Sequence, residues 1–200
     1  LAMSIKRVNT VSYQDRYWLS LTITLPNPPS YGSGYNKTMY AWNDVNALKD
    51  MKGYEWTWDA ASSWDGATVK ANSPAFPAFY IIGQNTTPIN GHNWFLPSAG
   101  QWVEVIYNLC FADRATTPLS ELNENGSTAS DFCNTSVLAK AVEAVGGDSW
   151  NGSGWPYQSS TEWDNRNTCM WVWNKGRVTF RPECYTCGVG PTVVPFIIYQ

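Results

Sequence analysis

The sequence has little charge, a single histidine and no long apolar run. Asp, Glu, Lys and Arg make up 14% of its 200 residues, and the formal net charge is −3. Lys and Arg form no cluster, which argues against a nucleic-acid partner held by phosphate neutralisation. No apolar segment approaches the ~20 residues that a membrane-spanning helix requires. We therefore expect neither a nucleic-acid partner nor a membrane span in this chain.

Cysteine and histidine are too few, and too poorly spaced, to indicate a metal or catalytic site. The five cysteines are an odd number, and their spacing does not fix any disulfide pairing. Cys184 and Cys187 form a lone CxxC, whereas zinc would need two further Cys or His ligands and His92 is the only histidine. A Ser-His-Asp triad would have to recruit His92, and Ser98 lies in no G-x-S-x-G elbow. We expect no enzyme activity, no metal and no cofactor.

Aromatic residues are abundant instead, with 12 Trp and 11 Tyr. Near the C-terminus, Trp163, Trp171 and Trp173 alternate with short polar residues, Gly and Pro. Rigid aromatic anchors among small polar side chains are typical of recognition surfaces. The length fits one domain with a short extension. We assign residues 1–37 to an N-terminal strand and loop extension, and 38–200 to the main domain, with a ligand-binding region at 155–200.

The first half of the chain predicts one strand and one helix before an irregular layer. Residues 4–25 have strand character, clearest at 17–25, and the Pro- and Gly-rich residues 26–34 predict a loop. Apolar spacing predicts a first helix over 38–51, ended by Gly53. About forty turn-rich residues follow, whose tryptophans we interpret as plugs of an irregular core: Trp56, Trp58 and Trp64.

The second half predicts two helices and then strands, an α+β layout. Ser98 and Gln101 have the capping-box spacing, and an apolar stripe from Trp102 to Leu109 follows them. A third helix is predicted from Ser136 to Val145, with Gly146-Gly147 as its stop. The period then changes to two, which predicts strands at 168–174, 177–181 and 193–199 in an antiparallel meander.

Four segments resemble a bacterial and phage group of proteins with the C-type lectin-like fold. They are Gly91–Trp102 (GHNWFLPSAGQW), Tyr157–Glu162 (YQSSTE), Trp171–Gly176 (WVWNKG) and Val194–Ile197 (VPFI), in the order and at the spacing of that group. The resemblance covers roughly residues 38–199 and implies helices packed on antiparallel sheets with much irregular structure. Gln158 and Val194 depart from it, since the group usually has Trp and Arg there.

One subset of that group comprises variable proteins of diversity-generating retroelements, in which adenine mutagenesis rewrites AAC and AAT codons near the 3′ end of the gene. Such codons cannot become Trp, Met, Lys, Glu or Gln. The resemblance therefore implies a fixed scaffold that includes Trp163, Trp171 and Trp173. It also implies the following variable, ligand-binding positions: Asp164, Asn165, Arg166, Asn167, Cys169, Asn174, Arg177, Thr179, Arg181, Pro182, Cys184, Tyr185, Thr186, Cys187 and Gly188.

The function expected from this resemblance is recognition of a protein or glycan on another cell or surface, by a domain displayed on a cell or virion. A fixed-specificity surface or fimbrial lectin-like module is the alternative. Formylglycine-generating enzymes share the architecture and use paired cysteines, but the motif around Cys184 and Cys187 differs. The order Trp163-Asp164-Asn165 also differs from the calcium-binding WND of sugar-binding lectins, and calcium needs six to eight converging oxygens.

Overall fold

The fold combines short helices with two antiparallel sheets, an α+β arrangement. A computed structural model of the chain describes residues 2–4, 6–8, 16–41, 44–109, 118–122, 140, 142–148, 153–164, 167–174, 177–184 and 192–198. Within them, the helices whose two ends are described are α1 (Gly53–Trp58), α2 (Pro77–Asn85), α3 (Ala99–Leu109) and α4 (Leu119–Leu122), with 3₁₀ helices at Val45–Lys49, Ala60–Ser62 and Lys70–Asn72. The strands are β1 (Ala2–Met3), β2 (Ser153–Tyr157), β3 (Glu162–Asp164), β4 (Asn167–Asn174), β5 (Arg177–Cys184) and β6 (Phe196–Ile197).

β4 is the central strand of the larger sheet. β5 pairs with it antiparallel from Asn167 to Asn174 without a register shift. β2 pairs with the C-terminal part of β4 and β3 with its N-terminal end. Since β5 occupies one edge of β4, β2 and β3 follow one another along the other edge. The smaller sheet pairs β1 with β6, near the two ends of the chain.

Two hydrophobic clusters fill the interior. The first packs α3 against the C-terminal strands and includes the fully buried Trp102, Phe180 and Phe196. The second packs the N-terminal segment against α2, where the rings of Trp18 and Phe79 meet edge to face with centroids 5.3 Å apart. The N-terminal part of the chain thus packs into the interior, while the division at residue 37 stays a prediction.

The predicted helix after Ser98 is confirmed. The Ser98 amide donates to Gln101 Oε1 at 2.9 Å, which is one half of the predicted capping box. The Ser98 hydroxyl donates instead to the main-chain carbonyl of Asp50 at 2.5 Å. Trp102 begins the buried stripe, but Leu109 is 43% exposed because it is the last helical residue, beyond the packed surface.

The third predicted helix ends at the predicted stop. Residues 140 and 142–144 are helical. Gly146 has φ +78°, its amide donates to Glu143 O at 3.0 Å, and the Gly147 amide donates to Val142 O at 2.9 Å. These two bonds form the Schellman motif, in which glycine supplies the left-handed residue. The predicted start at Ser136 lies outside the described residues.

The period of two correctly predicts the hairpin but not the last strand. The strands predicted at 168–174 and 177–181 correspond to β4 and β5, and two residues connect them. The strand predicted at 193–199 is only β6, which pairs with β1 rather than with β5. The predicted meander is therefore wrong at its third strand. The amide and carbonyl of Phe196 form hydrogen bonds with the main chain of Phe95. Its main-chain partners therefore lie outside the β4–β5 hairpin.

The strand predicted at 17–25 is wrong, since none of these residues is in a strand. The Ser20 hydroxyl accepts the amides of Thr22 and Ile23 at 3.2 and 3.1 Å. These two local hydrogen bonds turn the chain and compete with strand pairing. The Ser20 amide meanwhile donates to the carbonyl of Ala75, and Trp18 is buried in the second cluster.

The helix predicted at 38–51 is also wrong. Among the described residues of this range (38–41 and 44–51), the helical ones are limited to Val45–Lys49. They form a 3₁₀ turn that begins after Asp44, whose side chain accepts the Asn46 amide at 2.9 Å. Gly53 begins α1 instead of ending a helix. The apolar spacing at this point reflects burial of Leu48 in an irregular segment rather than a helical stripe.

The forty residues expected to be irregular contain several short helices. α2 was not predicted, although Pro77 stands at its first turn, where proline favours helix initiation. The interpretation of the tryptophans as core plugs is confirmed for Trp56, which is 2% exposed. Trp58 and Trp64 are partly buried against the two clusters, and their indole N–H groups donate to main-chain carbonyls.

Candidate ligand-binding site

The predicted ligand-binding residues concentrate on the β4–β5 hairpin. Eight of them lie on these two strands: Asn167, Cys169, Asn174, Arg177, Thr179, Arg181, Pro182 and Cys184. Asp164 ends β3, is partly buried and pairs with Asn167. The others lie outside the described residues: Asn165, Arg166, Tyr185, Thr186, Cys187 and Gly188.

The hairpin register divides the eight strand positions between two faces. Phe180 is wholly buried and pairs with Trp171, so one face of the hairpin is turned toward the core. Successive residues of a strand lie on opposite faces. By register, the positions on the face of Phe180 are Asn167, Cys169, Pro182 and Cys184. The positions on the opposite face are Asn174, Arg177, Thr179 and Arg181, which we call the outer set.

The predicted scaffold positions share the core-side register. Trp171 pairs with Phe180, and Trp173 pairs with Val178 two positions along, so both are on the face of Phe180. Trp163, at the centre of β3, is fully buried in the first cluster. Its indole N–H has no hydrogen-bond partner in the part of the chain that the structure describes.

A buried polar segment, residues 158–162, precedes the hairpin, and we call it the polar frame. All five residues are at most 1% exposed although none is apolar. The Gln158 carbonyl accepts the Trp102 indole N–H at 3.0 Å, and the Ser160 amide donates to the Pro97 carbonyl at 2.9 Å. Buried polar groups without partners would cost about 1–3 kcal/mol each, so these bonds fix where the frame sits against α3.

Asp50 joins the frame to the first half of the chain. Its Oδ2 accepts the Thr161 hydroxyl at 2.7 Å and the Trp56 indole N–H at 2.8 Å, and its Oδ1 accepts the Lys52 amide at 3.0 Å. Thr161 Oγ1 in turn accepts the Ala99 amide at 2.9 Å, at the start of α3. Burial raises the pKa of Asp50, and the hydrogen bonds from Thr161, Lys52 and Trp56 oppose that rise.

Glu162 closes the frame with a fully buried carboxylate. It accepts the amides of Tyr35 and Asn36 at 2.8 and 2.7 Å. A Cβ atom at Gly34 would stand 2.5 Å from Glu162 Oε2, so a side chain at this position would force the Glu162 carboxylate to shift. Lys70 is also fully buried; desolvation lowers its pKa to about 7, and the charge of Glu162 opposes that lowering.

Sequence analysis missed Asp50, Asn36 and Lys70 as members of a buried network. Each is polar and sits in a short irregular or 3₁₀ segment, where no periodicity separates buried from exposed positions. Their partners lie far away in sequence; Asp50 and Thr161 are 111 residues apart. Only the YQSSTE resemblance drew attention to the frame itself.

One described groove has a lining that includes no residue of the β4–β5 hairpin. It has a volume of about 420 Å³ and lies between the N-terminal residues 4 and 6–8, the end of α2, and Trp94. None of the described residues predicted to bind ligand lines it. Among the described side chains, no group of three or more His, Cys, Asp or Glu is arranged to hold a metal ion.

Compared with known proteins, the chain matches no family model, no curated protein and no solved structure. None of its described helices is both long enough and apolar enough to cross a membrane.

Proposed function

We propose that the chain is a non-enzymatic ligand-binding domain of C-type lectin-like fold, diversified by a retroelement and displayed on a cell surface or virion. Its recognition surface is the β4–β5 hairpin with the adjoining loops, and its ligand is a protein or glycan on another cell or surface. Binding needs no cofactor. A face of this kind would bury ~800 Å² per partner, with a few anchors contributing ~2 kcal/mol or more each.

The observation that carries the proposal is the uninterrupted hairpin register. Eight consecutive pairs join β4 to β5, and ladder hydrogen bonds use main-chain atoms whatever the side chains are. The outer set occupies the register face opposite Phe180, so substitutions there leave the core-side positions unchanged. A surface of this design tolerates extensive sequence change while its backbone stays in place.

The buried network supports the same division. Its hydrogen bonds involve the polar frame, α3 and Asp50, and its last member along the chain is Glu162. The predicted variable positions begin two residues later, at Asp164. The groups that hold the sheet against the body of the domain are thus separate in sequence from the groups proposed to vary.

Alanine substitutions on β5 test the physical part of this proposal. Phe180→Ala should lower the free energy of unfolding by about 3–5 kcal/mol, because it empties a fully buried aromatic site. Thr179→Ala, one residue away on the outer set, should change it by about 0.5 kcal/mol or less. Chemical denaturation of both variants checks this. Similar losses in both would contradict a variable face independent of the core.

Sequencing of the gene across a population that carries it tests diversification. We expect substitutions confined to the predicted variable positions within codons 155–200, with Trp163, Trp171 and Trp173 unchanged and codons 90–110 as the control. A uniform C-terminal region would refute retroelement diversification and leave a module of single specificity, to be pursued with a glycan and protein ligand screen.

A further inference from the structure

A second chemically distinctive cluster combines two residues of the polar frame with Asn36 and Lys70. Lys70, Glu162 and Ser160 are fully buried and Asn36 is 3% exposed. The cluster thus contains an amine, a carboxylate, a hydroxyl and a carboxamide, all shielded from water. Burying such groups is expensive unless each is paired, so their coexistence calls for a chemical explanation.

The contacts bring the amine toward the carboxamide through Ser63. Lys70 Nζ donates to Ser63 Oγ at 2.9 Å. Ser63 and Asn36 face each other in an antiparallel bridge, and Cβ atoms of such opposed residues lie about 4.5–5.5 Å apart. Ser63 therefore binds the Lys70 amine and lies beside Asn36.

The Asn36 carboxamide is anchored on one side and open on the other. Its Nδ2 donates to the Ser160 carbonyl at 3.0 Å. Its Oδ1 has no hydrogen-bond partner among the described residues, and the same holds for the Ser160 hydroxyl. The carboxamide oxygen and a hydroxyl donor are thus both unsatisfied within one small buried region.

The surroundings favour a nucleophilic amine. The rings of Phe76 and Phe79 lie 5.6 and 6.0 Å from Lys70 Nζ, and burial lowers the pKa of Lys70 to about 7. Part of the lysine population is therefore uncharged near neutral pH, which is the form that attacks a carbonyl carbon. Glu162, held by two backbone amides, is the buried base of the cluster.

We propose that Lys70 and Asn36 become joined by an intramolecular isopeptide bond. The lone pair of Lys70 Nζ attacks Asn36 Cγ, and Glu162 accepts a proton from the attacking nitrogen. The Ser160 hydroxyl donates to the oxyanion that forms on Oδ1. The Cγ–Nδ2 bond then breaks, the proton passes from Glu162 to Nδ2, and ammonia leaves. One amide replaces another, so neither oxidant nor cofactor is needed.

The bond would close a covalent loop between residues 36 and 70 that holds the N-terminal segment to the body of the domain. Cross-links that close long loops restrict the unfolded chain. This inference does not depend on the ligand or on diversification, so failure of one leaves the other standing.

Mass spectrometry of the purified full chain tests the proposal. The denatured protein should be lighter than its sequence mass by one ammonia, and a peptide map should contain a branched peptide that joins Lys70 to Asn36. Asn36→Asp should lose water instead of ammonia, whereas Lys70→Met and Glu162→Gln should keep their full masses. Lys52→Met is the matched lysine control and should retain the cross-link.

Two results would overturn the proposal. One is a folded wild-type chain that keeps its full sequence mass after prolonged incubation from mildly acidic to alkaline pH. The other is loss of ammonia without the branched peptide, since succinimide formation at Asn90-Gly91 releases ammonia as well. The wild-type map decides between these outcomes even if a variant fails to fold.

Discussion

Replacing Trp102 by Phe tests how much of the stability depends on the contact between α3 and the polar frame. Trp102 is fully buried; its ring centroid lies 4.8 Å from that of Phe196, and its indole N–H donates to the Gln158 carbonyl at 3.0 Å. The substitution keeps an aromatic ring but removes a hydrogen-bond donor to a buried carbonyl, and the loss of a hydrogen bond at a buried polar group costs about 1–3 kcal/mol. It also removes about three ring atoms, worth ~2 kcal/mol of burial at ~0.8 kcal/mol per methylene-sized group.

The expected loss is therefore about 3–5 kcal/mol of unfolding free energy, against the ~5–15 kcal/mol typical of whole domains. Urea denaturation followed by far-UV circular dichroism measures it, with an unchanged m-value as evidence that the unfolded state is unaltered. Trp94→Phe is the matched control. It makes the same covalent change and loses a bond of the same length, to the Thr87 carbonyl, but at an exposed site.

We expect Trp94→Phe to cost about 1 kcal/mol or less, because water replaces the lost donor at the exposed carbonyl. Equal losses in the two variants would refute the reasoning, since burial of the hydrogen bond would then not determine its contribution. A loss below about 1 kcal/mol in Trp102→Phe would refute it as well, because the hydrogen bond from Trp102 to the Gln158 carbonyl would then contribute little to stability.

Two further predictions concern the frame and its neighbour Tyr157. Thr161→Val should lower the unfolding free energy by about 2–4 kcal/mol, because it removes a donor to Asp50 and an acceptor for the buried Ala99 amide. Thr24→Val, at an exposed position, is the control in the same denaturation assay. Equal losses of stability in the two variants would contradict the claim. Burial raises the pKa of Tyr157 from 10.0 to about 12, so the folded state holds the proton more tightly than the unfolded state. The associated stability is complete below pH 10 and is lost as pH rises toward 12, at up to about 1.4 kcal/mol per pH unit. Tyr157→Phe should reduce the alkaline slope but not abolish it, because burial also raises the pKa of Tyr40 to about 12. Tyr31→Phe, at an 86% exposed position, should leave the slope as it is; a slope unchanged in Tyr157→Phe would count against the shift.

The elements that sequence predicts well are those specified by neighbouring residues. Ser98 and Gln101 identify the start of α3, because the capping bond spans three residues. Gly146 identifies a helix end for the same reason. The two-residue repeat of side-chain character, interrupted by a short connection, predicts the β4–β5 hairpin. In each case the determining contact lies within a few residues, and little else in the fold can override it.

The elements that sequence predicts badly depend on distant partners. Residues 17–25 have strand composition, yet Ser20 bonds locally and to Ala75 instead of entering a sheet. The 38–51 segment is shaped by Leu48 and by Asp50, whose partner Thr161 is 111 residues away. The secondary-structure propensities of the residues carry no information about such partners. They amount to a fraction of a kcal/mol per residue, and tertiary contacts outweigh them.

The candidate site shows the same limit. The sequence pattern and the resemblance predict fifteen ligand-binding positions, but the pattern alone does not show which of them share a face of the sheet. The register separates them, because Asn174 pairs with Arg177 and Trp171 pairs with Phe180. Which residues oppose each other across a hairpin depends on the length of its turn, and a one-residue slip would exchange the two faces.

The pairing of β1 with β6 has a practical meaning. Ala2 stands opposite Ile197, so the chain enters and leaves the domain at adjacent points. A short flexible linker would therefore join the two ends, and new termini opened in an exposed turn should leave the fold intact. The same adjacency would let the whole domain be inserted into a surface loop of another protein with little strain on the host, which makes it a candidate cassette for presenting the β4–β5 hairpin.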